Sequence, residues 1–296
     1  MRTIVLNKSN IVNLDNNSSF VYRFPSSVKF ENDYIALSQI QLYYSWYNVS
    51  SQLNNNKFSY TWLIGSTLTT FEIVIPDGLY EFETLNEYLQ FEMIKNGTFL
   101  QNESQDNVYY IEIILNASRY SVQINTYNFP TALPTNYTTP SNFVGFPTST
   151  FNPQIIIKSK FNEILGFDLI TTDLNQNNSY VVPANQNLIQ KLNTTISYIS
   201  TIAPNIQPNN NLLLSLSNID NVYASPTSIL YSIGTNGAQF GGLINETPTT
   251  YAFAKLIPGT YNEIRVNLYG PNLQPIKILD PNITMIFVLK NINDLY

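Results

Sequence analysis

The stretch Tyr34-Ile35-Ala36-Leu37-Ser38-Gln39-Ile40-Gln41-Leu42-Tyr43-Tyr44-Ser45-Trp46 decides the fold. Taken in twos, Ala36, Ser38, Ile40, Leu42, Tyr44 and Trp46 share one face, and Ile35, Leu37, Gln39, Gln41 and Tyr43 share the other. Successive side chains of a strand point to opposite sides, so this period predicts one long strand over 34–46. The same period recurs outward from it. Phe58, Tyr60, Trp62 and Ile64 alternate with Ser59, Thr61 and Leu63, and Phe71, Ile73 and Ile75 alternate with Glu72 and Val74 before the turn residues Pro76-Asp77-Gly78. Tyr109, Ile111, Ile113 and Leu115 face Tyr120, Val122 and Ile124 across Asn116-Ala117-Ser118-Arg119, which reads as a hairpin. Near the end come Tyr251 to Ile257, the alternating run Ile264, Val266 and Leu268 closed by Gly270-Pro271-Asn272, and Met285, Phe287 and Leu289. Many short strands punctuated by turns predict an all-β sandwich or barrel.

Helix is scarce. Thr84-Leu85-Asn86-Glu87 has the Thr-x-x-Glu form of a capping box, Leu85, Leu89 and Met93 recur every four residues, and Asn96-Gly97 supplies an end. That spacing predicts a helix over 84–95, and a shorter one runs from Ser159 to Leu165 before Gly166. Both are expected to cover an edge or end of the sandwich. The stretch from Asn128 to Pro153 is crowded with Pro, Thr, Asn and Ser yet carries Phe129, Tyr137, Phe143, Phe146 and Phe151, so it reads as a long loop that packs on its own domain or on a neighbouring subunit. Ala203 to Asn211 is a second loop. Neither has the composition of a linker, and no internal repeat shows. The expectation is therefore one domain over 1–296 with long loops or a small insertion within 128–211.

Composition removes much chemistry. The 296 residues include no Cys and no His, and only 11% are charged, against 44% hydrophobic and 14% aromatic. A Ser-His-Asp triad, a Cys-His pair, a histidine-held metal and a zinc-thiolate site all lack their side chains, and disulfides are impossible. The aromatic and aliphatic content suits a substantial core and argues against disorder. Polarity comes from Asn, Ser, Thr, Gln and Tyr, which makes a polar, nearly uncharged surface. A net charge of −6 without a basic arm disfavours capture of a nucleic-acid backbone. The opening apolar run breaks after Leu6, and no window reaches the roughly 20 apolar residues of a membrane span, so the reading is a soluble, unexported chain. Sequons such as Asn48-Val49-Ser50 and Asn96-Gly97-Thr98 then follow from an Asn- and Ser/Thr-rich composition.

Individual candidates carry little chemistry. Asp77 with Glu81, or Glu263 with Asp280, are the carboxylate pairs a glycosidase would need at roughly 5–10 Å, but turn, helix-start and strand-start positions account for them. Asp15-Asn16-Asn17 and Asp173-Leu174-Asn175-Gln176-Asn177 resemble a calcium loop without its Gly or closing Glu. Gly234, Gly237, Gly241 and Gly242 match no phosphate-cradling pattern and suit turns. No cofactor or metal is implied. The conspicuous cluster is Tyr43-Tyr44-Ser45-Trp46-Tyr47, because Tyr and Trp are enriched where a partner or a sugar covers a surface. Tyr43, Tyr44, Trp46 and Tyr47, with Phe143 and Phe146, are the candidate subunit-interface residues. Core burial is the alternative for them, and a carbohydrate-binding module stacking sugars on surface Tyr and Trp is the alternative function.

A set of short motifs in fixed order resembles one family. Ile40-x-Leu42-Tyr43-Tyr44-Ser45-Trp46-x-Asn48-Val49, Asn56-x-Phe58-x-Tyr60, Phe71-x-Ile73-x-Ile75-Pro76-Asp77-Gly78-x-Tyr80 and Leu85-Asn86-x-Tyr88-Leu89 are similar to the penton (minor capsid) proteins of virophages and Maverick/Polinton-like viruses. So are Phe161-Asn162-Glu163-Ile164-Leu165-Gly166-Phe167, Leu256-Ile257-Pro258-Gly259-x-Tyr261-Asn262-Glu263-Ile264, Leu273-x-Pro275-Ile276 and Asp280-Pro281. The order, spanning Tyr34 to Leu289, carries more weight than any single motif. The resemblance implies a single jelly roll that forms homopentamers at the fivefold vertices of an icosahedral capsid, beside a double jelly-roll major capsid protein. It implies a virion component assembled in the host cytoplasm, with no catalytic residues and no direct nucleic-acid binding.

Overall fold

A computed structural model of the chain describes residues 1–158, 160–167, 179–181 and 198–291. In chain order the elements are β1 (Arg2–Asn7), β2 (Ile11–Leu14), β3 (Ser19–Phe30), β4 (Asp33–Tyr43), β5 (Lys57–Ile64), β6 (Thr67–Val74) and helix α1 (Phe82–Lys95). Next come β7 (Leu100–Asn102), β8 (Asn107–Val108), β9 (Ile111–Asn116), β10 (Ser121–Thr126), β11 (Tyr137–Thr138), β12 (Ile155–Lys158), α2 (Phe161–Leu165), β13 (Ser179–Val181) and β14 (Tyr198–Ile199). The last are β15 (Asn211–Leu216), β16 (Ile219–Asp220), β17 (Ile229–Gly234), β18 (Leu243–Glu246), β19 (Ala254–Leu256), β20 (Gly259–Tyr269) and β21 (Ile283–Asn291). They fall into two compact units, one made of Met1–Tyr47 with Pro208–Tyr296 and the other of Asn48–Gln207. The elaboration expected within 128–211 thus covers only the later part of a unit that begins at Asn48.

The first unit is a jelly roll. One sheet runs β1-β21-β4 with β18 beside β4, and the other runs β3-β20-β15-β17, with β2 added outside β3 and β19 and β16 added beyond β4. Followed along the chain, β1, β3, β4, β15, β17, β18, β20 and β21 visit the two sheets in the order that wraps two Greek keys into a sandwich. All these pairings are antiparallel. Each sheet turns one row inward: Leu6, Ile40, Leu42, Met285 and Phe287 from one, and Phe20, Leu214, Val266 and Leu268 from the other, all with at most 1% of their surface exposed. Burying each such side chain is worth about 1.5–3 kcal/mol, which sets the register. Asp33 ties the ends together: its buried carboxylate accepts from the Arg2 guanidinium and from the Asn291 amide, joining the first, fourth and last strands.

The predicted long strand ends at Tyr43, and its faces switch within it. Leu37 lies opposite Phe287 and Gln39 opposite Ile286, so Ser38 has no opposite residue on β21 and forms a bulge. Before the bulge Ile35 and Leu37 point inward; after it Ile40 and Leu42 do. A bulge reverses the parity, which simple alternation cannot show.

The second unit has its own core. A sheet β13-β12-β5-β6, a sheet β14-β10-β9 and a small sheet β11-β7-β8 surround Phe58, Trp62, Tyr110, Phe129 and Phe161. Phe58 and Phe161 stack at 4.9 Å, and Trp62, Tyr110 and Phe129 form a mutual cluster with centroids 4.6–6.2 Å apart. Helix α1 begins at Phe82, two residues before the expected start, because the Glu81 N–H donates back to the Thr84 hydroxyl (2.8 Å): Thr84 closes the capping box from its third position instead of opening it. Leu85, Leu89 and Met93 are buried as their spacing predicts, and the Asn86 side chain accepts the Ile113 N–H of β9. Both helices belong to this unit rather than to the sandwich. Of the shorter predicted helix, Ser159 lies outside the described residues.

Candidate functional site

The aromatic segment after β4 is held by backbone first. The Tyr44 N–H donates to the Gly242 carbonyl (2.9 Å), and the Gly241 N–H donates to the Tyr44 carbonyl (2.7 Å). The Leu279 and Asp280 N–H groups then close on the Ser45 carbonyl and hydroxyl. Inside this frame Tyr44 and Trp46 have only 4% and 1% of their surface exposed, their rings 4.6 Å apart, and the Trp46 indole N–H donates to the Asn209 carbonyl (2.9 Å). Burial raises the Tyr44 phenol above its ordinary pKa. These two candidates are core. Their area is already spent within the chain, so neither offers a ring to a sugar or a second subunit.

Tyr43 and Tyr47 differ. Tyr43 points to the other side of the strand and is 37% exposed, and Tyr47 is half-buried against Phe240, their rings nearly parallel at 6.2 Å. Phe240 itself is exposed. Sequence reasoning passed over Phe240 and Leu243, because the flanking glycines drew attention to turns and hid a four-residue strand.

Phe143 and Phe146 lie in the second unit. They are half-buried, 4.7 Å apart, with Phe146 stacked on the buried Phe129 at 5.8 Å. The Gly65 N–H donates to the Phe146 carbonyl, and the Asn142 amide donates to the Ile94 carbonyl at the end of α1. The aromatics of this long loop therefore anchor it to its own unit.

The carboxylate candidates serve local structure. Asp77 accepts from the Ser51 N–H and hydroxyl, Glu81 caps α1, Glu263 pairs with Arg23, and Asp280 accepts from the Asn282 backbone and amide. Asp15, Asn16 and Asn17 all sit at positive φ, and the Asn17 amide donates to the Ile278 carbonyl, so this segment is a hydrogen-bonded turn. The similar run at Asp173 lies outside the described residues. Among the described residues, no three acidic side chains gather in a way that could hold a metal ion, and no helix is long and apolar enough to cross a membrane.

No family model matches the chain, and no curated protein matches it. Among solved structures, it is similar to the crystal structure of the mavirus penton protein, with 10% identity and a TM-score of 0.43 over 99% of this chain and 100% of that one.

Proposed function

We propose that this chain is a structural, non-enzymatic capsid protein: a penton-type subunit that forms homopentamers at the fivefold vertices of an icosahedral virion, next to a double jelly-roll major capsid protein. The observation that carries this reading is the strand order of the first unit, a complete eight-stranded jelly roll. Fold alone does not give function. The ordered motifs from Ile40 to Asp280, which resemble the penton family, supply the second support.

Physical chemistry agrees with the assignment. A ring closes when one side of a subunit meets a different side of the next, and the rotation returns after five copies. Contacts rich in Asn, Ser, Thr and Tyr can pair across such a seam without the cost of burying ions. Of the aromatics considered for that seam, Tyr47 and its exposed neighbour Phe240 have surface to give, whereas Tyr44 and Trp46 do not. On this reading the sandwich is the shell-forming part, and the unit over 48–207 is an elaboration carried between its third and fourth strands.

Light scattering and negative-stain microscopy of the purified full chain test the proposal. Five copies of 33.7 kDa make a ring of about 168 kDa. A species of that mass with fivefold views is expected; a monomer that persists at high concentration overturns the reading.

A further inference from the structure

The outer face of the β1-β21-β4-β18 sheet changes character at one end. Asn7 lies directly opposite Thr284, Thr284 opposite Gln41, and Gln41 opposite Asn245, so four neutral hydrogen-bonding side chains line up across four strands. The next row places Tyr43 opposite Leu243, both exposed. Apart from Asn245, these residues line, together with Lys8, Ser9, Asn282 and Ile283, a shallow groove of about 450 Å³.

What distinguishes this groove is neutral polarity, only part of it engaged locally: the Asn7 side-chain oxygen accepts from the Ser9 N–H and hydroxyl, and the Asn282 amide donates to Asp280. One row along the same face, the Gln39 amide donates to Asn245 (3.0 Å), so the Asn245 side-chain oxygen in the Gln41 row is already engaged. Among the described residues, the Gln41 amide, the Thr284 hydroxyl, the Tyr43 phenol and the Lys8 ammonium have no side-chain partner. No carboxylate lines the groove, which disfavours a metal ion, and a single lysine is too little for a phosphate chain. Tyr43, Leu243 and the largely buried Ile283 give too little apolar area for a lipid chain. An aromatic face flanked by amides and hydroxyls is instead the chemistry that takes a sugar ring: the C–H face stacks on the π-cloud, and the hydroxyls meet neutral donors and acceptors without ionic desolvation.

We infer that this groove is a saccharide-binding site, with Tyr43 as the stacking platform, Gln41 and Thr284 as the hydroxyl-reading groups, and Lys8 at the rim where an acidic substituent would sit. The inference does not rest on the pentameric assembly. It moves the carbohydrate reading away from Trp46, which is buried, to a residue on the opposite side of the same strand.

Glycan arrays carrying neutral and sialylated oligosaccharides, probed with the purified full chain, test it, followed by calorimetric titration of the best ligand. Tyr43→Ala is expected to weaken binding by about tenfold or more, and Gln41→Ala is expected to weaken it with the thermal midpoint unchanged. Tyr120→Ala, an exposed tyrosine of the other unit, leaves binding intact. A preference for sialylated ligands that disappears in Lys8→Ala supports the rim assignment. No saccharide bound at millimolar concentration, or binding indifferent to both Tyr43→Ala and Gln41→Ala, overturns the site. If the ring forms and the groove proves to be closed by the neighbouring subunit, that result also overturns it while leaving the assembly standing.

Discussion

Asn48 is the side chain on which the second unit closes its own chain ends. It is 3% exposed, and its amide donates to the carbonyls of Tyr80 (2.7 Å) and Ile206 (2.7 Å), while its side-chain oxygen accepts the Tyr80 N–H (2.9 Å). One carboxamide thus joins the first residue of the unit to the turn before α1 and to the returning strand of chain. Asn48→Ala removes all three bonds and introduces no clash. At about 0.5–1.5 kcal/mol net for each bond, the expected loss is about 3 kcal/mol. For a unit of this size, 1 kcal/mol shifts the midpoint by about 2–4 °C, so the 48–207 transition should fall by about 6–12 °C. Asn48→Asp keeps an acceptor for the Tyr80 N–H but sets a carboxylate against two carbonyls, and it should cost at least as much. Hydrogen exchange read by mass spectrometry, with calorimetry, assigns the loss: amides of β5, β6 and α1 should lose protection while those of β20 and β21 keep theirs. A loss below about 1 kcal/mol, or one spread evenly over both units, would refute the reasoning.

Two further outcomes follow from the same geometry. The Trp46 indole reaches the Asn209 carbonyl at 2.9 Å, so Tyr47 can be joined to Pro208 by a short Gly-Ser linker; the shortened chain is expected to keep a strand-type circular dichroism spectrum and a cooperative melt, and an unfolded product would show that the sandwich needs the second unit. Burial raises the phenols of Tyr60, to about 12, and of Tyr110, so both remain protonated in the fold above the ordinary tyrosine range. The stability they hold is fully present below about pH 10 and is lost as pH climbs through their folded values. The chain has 21 tyrosines, so absorbance at about 295 nm should rise near pH 10 for the exposed ones and reach its full amplitude only as the second unit unfolds; full amplitude near pH 10 with the fold intact would contradict the burial of Tyr60 and Tyr110.

Strand identity was legible because it is local. Period two located β4, β5, β6, β9, β10, β20 and β21, and the spacing of Leu85, Leu89 and Met93 located α1. The division into two units was not legible, because it depends on which strands pair. β1 lies against β21, and β4 pairs with β18, β19 and β21, through contacts hundreds of residues apart that no local pattern encodes. Phe58, Trp62 and Ile113 look like sandwich strands from alternation alone, yet they bury their faces in a different core.

The candidate site turns on a single unpaired residue. Continued without interruption from Ile35 and Leu37, the inward row of β4 would take in Gln39, Gln41 and Tyr43, burying two amides and a phenol among Met285 and Phe287. The extra residue at Ser38 prevents this by passing the inward role to Ile40 and Leu42. The same step carries Tyr44 and Trp46 into the core and sends Gln41 and Tyr43 out to the groove. Deleting Ser38 would restore strict alternation and force a choice between burying the amides and slipping the register against β21. Either outcome costs the core several kcal/mol, since an amide buried without a partner costs about 1–3 kcal/mol and two would be buried. The bulge therefore sets which tyrosine of the Tyr43-Tyr44 pair is structural and which faces outward, and the aromatic cluster that stands out in the sequence is two clusters with opposite roles.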